Sequence, residues 1–95
     1  MTRIVWTEPA VSDLNTIHAY IARDAEVYAD GVVLEIFDAV DRLVHFPLSG
    51  RVVPEIEDEY TREVIVRNYR VIYDISGDTI RILSVFHGAR LFSKR

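Results

Sequence analysis

The order of hydrophobic periodicities along the chain predicts an α+β domain of type β-α-α-β-β-β, a helix hairpin packed on one face of a small, mainly antiparallel sheet. Three observations predict it. Apolar residues recur at helical spacing between Ala10 and Val44. Beyond Tyr60 the spacing changes to strand-like alternation. Between the two regions, Phe46-Pro47-Leu48-Ser49-Gly50 carries strong chain-breaking residues. Helices grouped on one side of a run of strands make a two-layer domain, and 95 residues are enough for one such domain, covering 1–95.

Each element has its own local reason. Arg3-Ile4-Val5-Trp6 is a short β-prone run. Thr7-Glu8-Pro9 then reads as a helix start, with Thr7 as cap, Pro9 in the first turn and Glu8 at the positive end of the dipole. Ala10, Leu14, Ile17 and Ile21 form one stripe, with Asp13 and Asn15 expected on a solvated face. Asp24-Ala25-Glu26 breaks the pattern briefly. Ala29, Val33, Ile36, Val40 and Leu43 resume it, widened by Phe37 and Val44. Two amphipathic helices with so short a joint predict an αα-hairpin.

Residues 51–60, containing Pro54, read as a loop. Three strands are expected next, over 62–66, 69–75 and 80–87. Arg67-Asn68 and Ser76-Gly77-Asp78 occupy the turns, with Asn68 and Gly77 the residues suited to positive φ. Tyr69, Val71, Tyr73 and Ile75 share one face of the middle strand, opposite Arg70, Ile72 and Asp74. The last strand is apolar on both faces: Ile80, Ile82 and Phe86 on one, Leu83 and Val85 on the other. It should therefore be central or covered twice, with Leu91-Phe92 as one candidate cover.

Composition excludes several classes of function. With no Cys, disulfide frameworks, thiol nucleophiles and Cys-based metal sites are ruled out. His18, His45 and His87 fall in three different elements without ligand spacing, so no metal and no cofactor are expected. The four glycines are scattered, and none builds a phosphate loop. No apolar signal core precedes Pro9, and no window approaches about 18 uninterrupted apolar residues. A soluble cytoplasmic protein without a membrane partner is expected.

The net charge of −4 is unevenly distributed. Residues 1–50 carry three Arg against eight acids, whereas residues 60–95 carry six Arg and Lys94 against Glu63, Asp74 and Asp78. Arg70, His87 and Arg90 lie in that cationic part, and Arg51 and Glu55 in the loop before it. Side by side, they would combine an anion clamp with proton donors and acceptors, a set suited to phosphodiester cleavage through the 2′-hydroxyl of RNA. The competing structural reading pairs Arg70 and Arg81 with Asp74, Glu63 or Asp78 as ordinary sheet ion pairs. Tyr60, Tyr69 and Tyr73 alternate with cations in a manner compatible with base stacking. The period of two places Tyr69 and Tyr73 in the core instead.

The ordered set Trp6-Thr7, Ala10, Asp13-Leu14, Ile17, Tyr20-Ile21, Phe46-Pro47, Gly50-Arg51, Arg62-Glu63, Tyr69-Arg70-Val71-Ile72-Tyr73, Ile82-Leu83, Val85 and His87-Gly88-Ala89-Arg90 resembles the RelE/ParE superfamily of toxins from bacterial type II toxin–antitoxin modules. Tyr-Arg-Val-Ile-Tyr followed by His-Gly-Ala-Arg is most similar to the ParE-like branch. The resemblance implies the fold derived above, a cognate antitoxin as partner, and growth arrest through DNA gyrase. The RelE-like alternative implies a metal-independent endoribonuclease acting on messenger RNA at the ribosome. In that alternative the matching catalytic residues are Arg70, His87 and Glu55. Arg51, Arg70 and Arg90 are the candidate target- or anion-binding residues in either branch. A single Lys and a negative total depart from the Lys- and Arg-rich ribosome-dependent nucleases.

Overall fold

Thr7 decides where the first strand, β1 (Arg3–Trp6), gives way to the first helix, α1 (Glu8–Ala22). Its backbone is extended, and its hydroxyl oxygen accepts from the Ala10 N–H at 3.4 Å, the N-cap arrangement expected from sequence. The same hydroxyl donates to the Ile82 carbonyl at 2.7 Å, and the Thr7 N–H donates to that carbonyl at 3.1 Å. One residue thus starts the helix and ties it to the sheet. The computed structural model describes residues 2–89. Arg90 and Leu91-Phe92, singled out above, lie outside the described residues.

The second helix, α2 (Glu26–Asp41), follows a short joint and runs into a single 3₁₀ turn over Arg42–Val44. Ala10 and Leu14 of α1 are buried, with Ile17 and Ile21 packed at the margin. The buried stripe of α2 is Ala29, Val32, Ile36, Ala39 and Val40, continued by Leu43. Val32 therefore takes the core position expected for Val33. Both stripes have helical spacing; only the direction of the sheet selects between them.

Four further strands follow: β2 (Arg51–Val52), β3 (Thr61–Val66), β4 (Tyr69–Ser76) and β5 (Thr79–His87). The sheet order is β1-β5-β4-β3-β2, with β1 parallel to β5 and every other pair antiparallel. The two-residue β2 lies in the stretch read from sequence as pure loop. It pairs Arg51 with Glu63 and Val52 with Arg62, and is too short to show alternation. β5 sits between β1 and β4, which accounts for its apolar residues on both faces.

The main core lies between the helices and one sheet face. It joins Leu14, Val32, Ile36, Val40 and Leu43 to Val71, Tyr73, Ile80, Ile82 and Val85. On the opposite face Val53 and Ile56, from the segment after β2, cover Ile72, Leu83 and Phe86. This corrects the face assignment made for β5. Ile72 pairs with Ser84 but Tyr73 pairs with Ile82, so Leu83 is an extra residue in a bulge. A one-residue slip inverts the alternation. Val85 consequently joins Ile80 and Ile82 under the helices, and Phe86 joins Leu83 on the other side.

Asp13 belongs to the same correction. Its Oδ2 accepts from the Val85 N–H at 2.9 Å and from Ser84 Oγ at 3.0 Å, rather than facing water. The carboxylate therefore satisfies a backbone donor beside the bulge and fastens α1 to β5. At the β3–β4 turn, Arg67 and not Asn68 takes the positive φ, 54°. Its guanidinium donates twice to the Glu35 carboxylate on α2 and once to the Tyr28 hydroxyl, contacts that hold the turn. Gly77 has the positive φ expected of it, 58°.

Candidate functional site

Strand register assembles the candidate site on the sheet face away from the helices. Arg51 lies opposite Glu63, while Ile65, Arg70 and Phe86 form one row across β3, β4 and β5. Arg70 and Glu63 are therefore diagonal neighbours on that face. The Arg70 Nε donates to Glu63 Oε1 at 2.7 Å, and its two terminal nitrogens donate to the two Glu55 oxygens at 2.7 and 2.8 Å. The Phe86 ring lies 5.3 Å from the guanidinium carbon. Arg51 Nε donates to the remaining Glu63 oxygen. Arg70 and Glu63 are both buried, and Glu55, carried by the segment that also supplies Val53 and Ile56, closes over Arg70.

Such burial would be costly for a lone charge; here each ion meets an opposite one. The Glu55 carboxylate, with Glu63 behind it, holds the Arg70 guanidinium protonated well above its ordinary range, and burial opposes this with a smaller effect. The surrounding turns are fixed by two further groups. Arg62 donates to the carbonyls of Leu48, Gly50 and Glu59. Tyr73 donates to the Pro47 carbonyl at 2.7 Å and accepts from the Gly50 N–H at 3.0 Å. Burial raises the Tyr73 pKa above the normal phenol value, opposed by the Gly50 N–H hydrogen bond and the Arg62 charge.

A hollow of about 300 Å³ opens beside this network. Arg51, Arg67, Arg70, His87 and the exposed Ile65 border it. The sequence-derived residues Arg51, Glu55 and Arg70 are thus brought into direct contact or one step from it. His87 reaches only the rim. It pairs with Tyr69, not with Arg70, and its ring packs edge-on against the Tyr69 ring at 6.1 Å. Its Nδ1 accepts from the Ala89 N–H at 3.2 Å, which leaves the proton of a neutral ring on Nε2. Arg67 is a bordering cation that sequence reasoning missed; its signal was concealed in a turn. Arg81 pairs with Asp74 directly across the strands, as the structural reading expected. Tyr73 is in the core, Tyr69 packs at its margin and Tyr60 is exposed.

Among the described residues no group of three or more His, Asp or Glu side chains is placed to hold a metal ion. None of their helices is long and apolar enough to cross a membrane.

A helix pair laid across a five-stranded sheet in this order also occurs in chains of solved toxin–antitoxin structures. The chain superposes on a chain of the chromosomal ParDE toxin–antitoxin system from P. aeruginosa with a TM-score of 0.77, at 22% identity, covering 92% of this chain and 96% of that one. It superposes on a chain of the toxin–antitoxin complex RelBE2 from Mycobacterium tuberculosis with a TM-score of 0.59, at 21% identity, covering 90% and 96%. Sequence then narrows the class. The chain belongs to the ParE toxin family of type II toxin–antitoxin systems, whose family model matches residues 4–92. It is 31% identical over 91 residues to Toxin RelE2 of Caulobacter vibrioides, covering 96% of this chain and all of that protein. It is 40% identical over 87 residues to Putative toxin Y4kP of Sinorhizobium fredii, covering 90% and 86%.

Proposed function

We propose that this toxin arrests growth by binding a protein target, DNA gyrase, and that a cognate antitoxin neutralises it. The observation that carries this reading is the mutual neutralisation at the candidate site. Glu55, the candidate base, and Arg70, the candidate phosphate clamp, bind one another bidentately. A carboxylate held by two guanidinium N–H groups is a poor proton acceptor. Arg51 and Arg67, the other cations at the hollow, are tied to Glu63 and Glu35. His87 projects beside Tyr69, one register position from Arg70, and therefore from the opposite strand face. Arg90 is proposed as a further contact to the target.

Arg51, Arg70 and the rim residue His87 around one hollow, with Glu55 bound to Arg70, support a second reading, a metal-independent messenger RNA endoribonuclease. Two assays on the purified chain separate the two. Supercoiling by gyrase should fall as toxin is added, while messenger RNA on translating ribosomes stays intact. His87→Ala should keep full toxicity. Cleaved messenger RNA together with an inert His87→Ala protein would establish the nuclease instead. For the antitoxin, the cationic sheet end suits an acidic segment added along the sheet or laid in a groove. Co-purification with the product of the adjacent gene tests that partner.

A further inference from the structure

Two carboxylates hold Arg70, and the fold mounts them differently. Glu63 stands in β3 between Arg51 and Ile72 of the neighbouring strands, fully buried, and accepts from the Arg70 Nε. Glu55 stands on the segment between β2 and β3, its side chain 18% exposed, and accepts from the two terminal nitrogens. The sheet therefore fixes the guanidinium through one carboxylate, whereas the other covers it from outside the ladder.

The covering segment is short and lightly held. Val53 is its fixed end, fully buried beside Ile72 and Phe86, with its N–H donating to the Thr61 carbonyl at 3.2 Å. At the far end the Thr61 N–H donates to the Asp58 carbonyl at 3.0 Å. Between these ends the Ile56 and Glu57 N–H groups both donate to the Val53 carbonyl, at 3.1 and 2.9 Å. Pro54 has no N–H to contribute. Ile56 packs on the Ile72–Phe86 cluster as an apolar anchor. Glu57 has a φ of 58°, a left-handed conformation disfavoured for any residue with a Cβ, and opening relieves it. A stretch with so few buried apolar contacts opens at lower cost than the whole fold.

We propose that residues 54–57 form a strap that opens while the sheet stays intact, with Glu55 as the latch that shuts it over Arg70. Closed, the strap occupies the two terminal nitrogens with an internal carboxylate. Open, it releases those donors beside the hollow bordered by Arg51 and His87, and Glu63 keeps the guanidinium oriented for an external oxyanion. An anion arriving at Arg70 must displace Glu55, so the strap sets the fraction of the protein competent to bind. The device does not depend on which target the toxin meets.

Native-state hydrogen exchange on the full chain, read by NMR, tests the strap, and its first comparison needs no substitution. After correction for intrinsic rates, the Ile56 and Glu57 amides should exchange at least about a hundredfold faster than those of Val71 and Ile82 in the interior strands, with little dependence on low urea. Glu55→Gln should speed the two strap amides by about a further tenfold or more. Glu59→Gln removes the same charge from an exposed position nearby and should leave them within about twofold. Inorganic phosphate at matched ionic strength is then titrated against the Arg70 Nε–H resonance. It should bind Glu55→Gln at least about tenfold more tightly than the parent or Glu59→Gln. Strap amides as protected as Val71, strap exchange unmoved by Glu55→Gln, or equal phosphate affinity in Glu55→Gln and Glu59→Gln would overturn the proposal.

Discussion

Glu63→Gln tests whether the buried ion network holds the sheet face together. Glu63 is fully buried on β3, with one oxygen accepting from Arg70 and the other from Arg51. A glutamine retains one acceptor but turns an NH₂ group toward a guanidinium donor. It also leaves the buried Arg70 with less compensating charge, and breaking a buried pair from one side costs about 3–5 kcal/mol. Taking about 3 kcal/mol against a total stability of about 5–15 kcal/mol, the variant should remain folded but lose a large fraction of its margin. For a domain of this size that corresponds to a fall in Tm of about 12–24 °C. Urea unfolding followed by Trp6 fluorescence should show a lower midpoint at an unchanged slope. Arg81→Met is the internal control, because its ion pair with Asp74 involves a half-exposed arginine and no fully buried carboxylate, and its loss should move the midpoint far less. A loss below about 1 kcal/mol in Glu63→Gln would refute the reasoning, since Arg70 would then satisfy itself through solvent.

Three other outcomes follow from single contacts. A Cβ at Gly50 would lie 2.6 Å from both the Glu63 carbonyl oxygen and the Tyr73 hydroxyl. Gly50→Ala should therefore cost about 1–3 kcal/mol, toward the upper end because one clash is with backbone, as denaturant melts will read. Asp13→Ala removes the acceptor for the Val85 N–H and the Ser84 hydroxyl beside the bulge. It should lose about 1–3 kcal/mol and speed amide exchange at Val85. Glu35 is held below its ordinary carboxylate value, first by the hydrogen bonds it accepts from Arg67 and then by the Arg67 charge, with desolvation opposing. A lowered folded-state value means the contribution is complete above the unfolded value and disappears as pH falls through the folded one. Glu35→Gln should accordingly lower the unfolding midpoint near neutral pH and match the parent in strong acid.

The candidate site was legible only as an inventory of residues. Arg51, Glu55 and Arg70 stood out by type and position, and they do meet. Their arrangement was not legible, because it depends on which strands are neighbours. Glu63 was offered as one of three sheet ion-pair partners for Arg70 and Arg81, and it does pair with Arg70; that it is buried between two arginines was not legible. His87 follows Phe86 by one residue, and that single step separates a side chain beneath Arg70 from one packed on Tyr69.

By itself the sequence determined the two helices, the Thr7 cap, the element order and the core face of β4. Helical and strand periodicities, capping chemistry and turn residues act over a few neighbouring positions and are written directly in the chain. Tertiary structure alone decided that β1 lies parallel beside β5, that two residues at Arg51–Val52 extend the sheet, and that Val32 replaces Val33 in the core. It also decided the bulge at Leu83, which exchanges the faces of Val85 and Phe86 and draws Asp13 onto the sheet. These outcomes depend on partners up to 76 positions apart in the chain, as in the contacts of Thr7 with β5. A bulge or an ion network forms only when distant strands set one another's register, and no local pattern encodes that register.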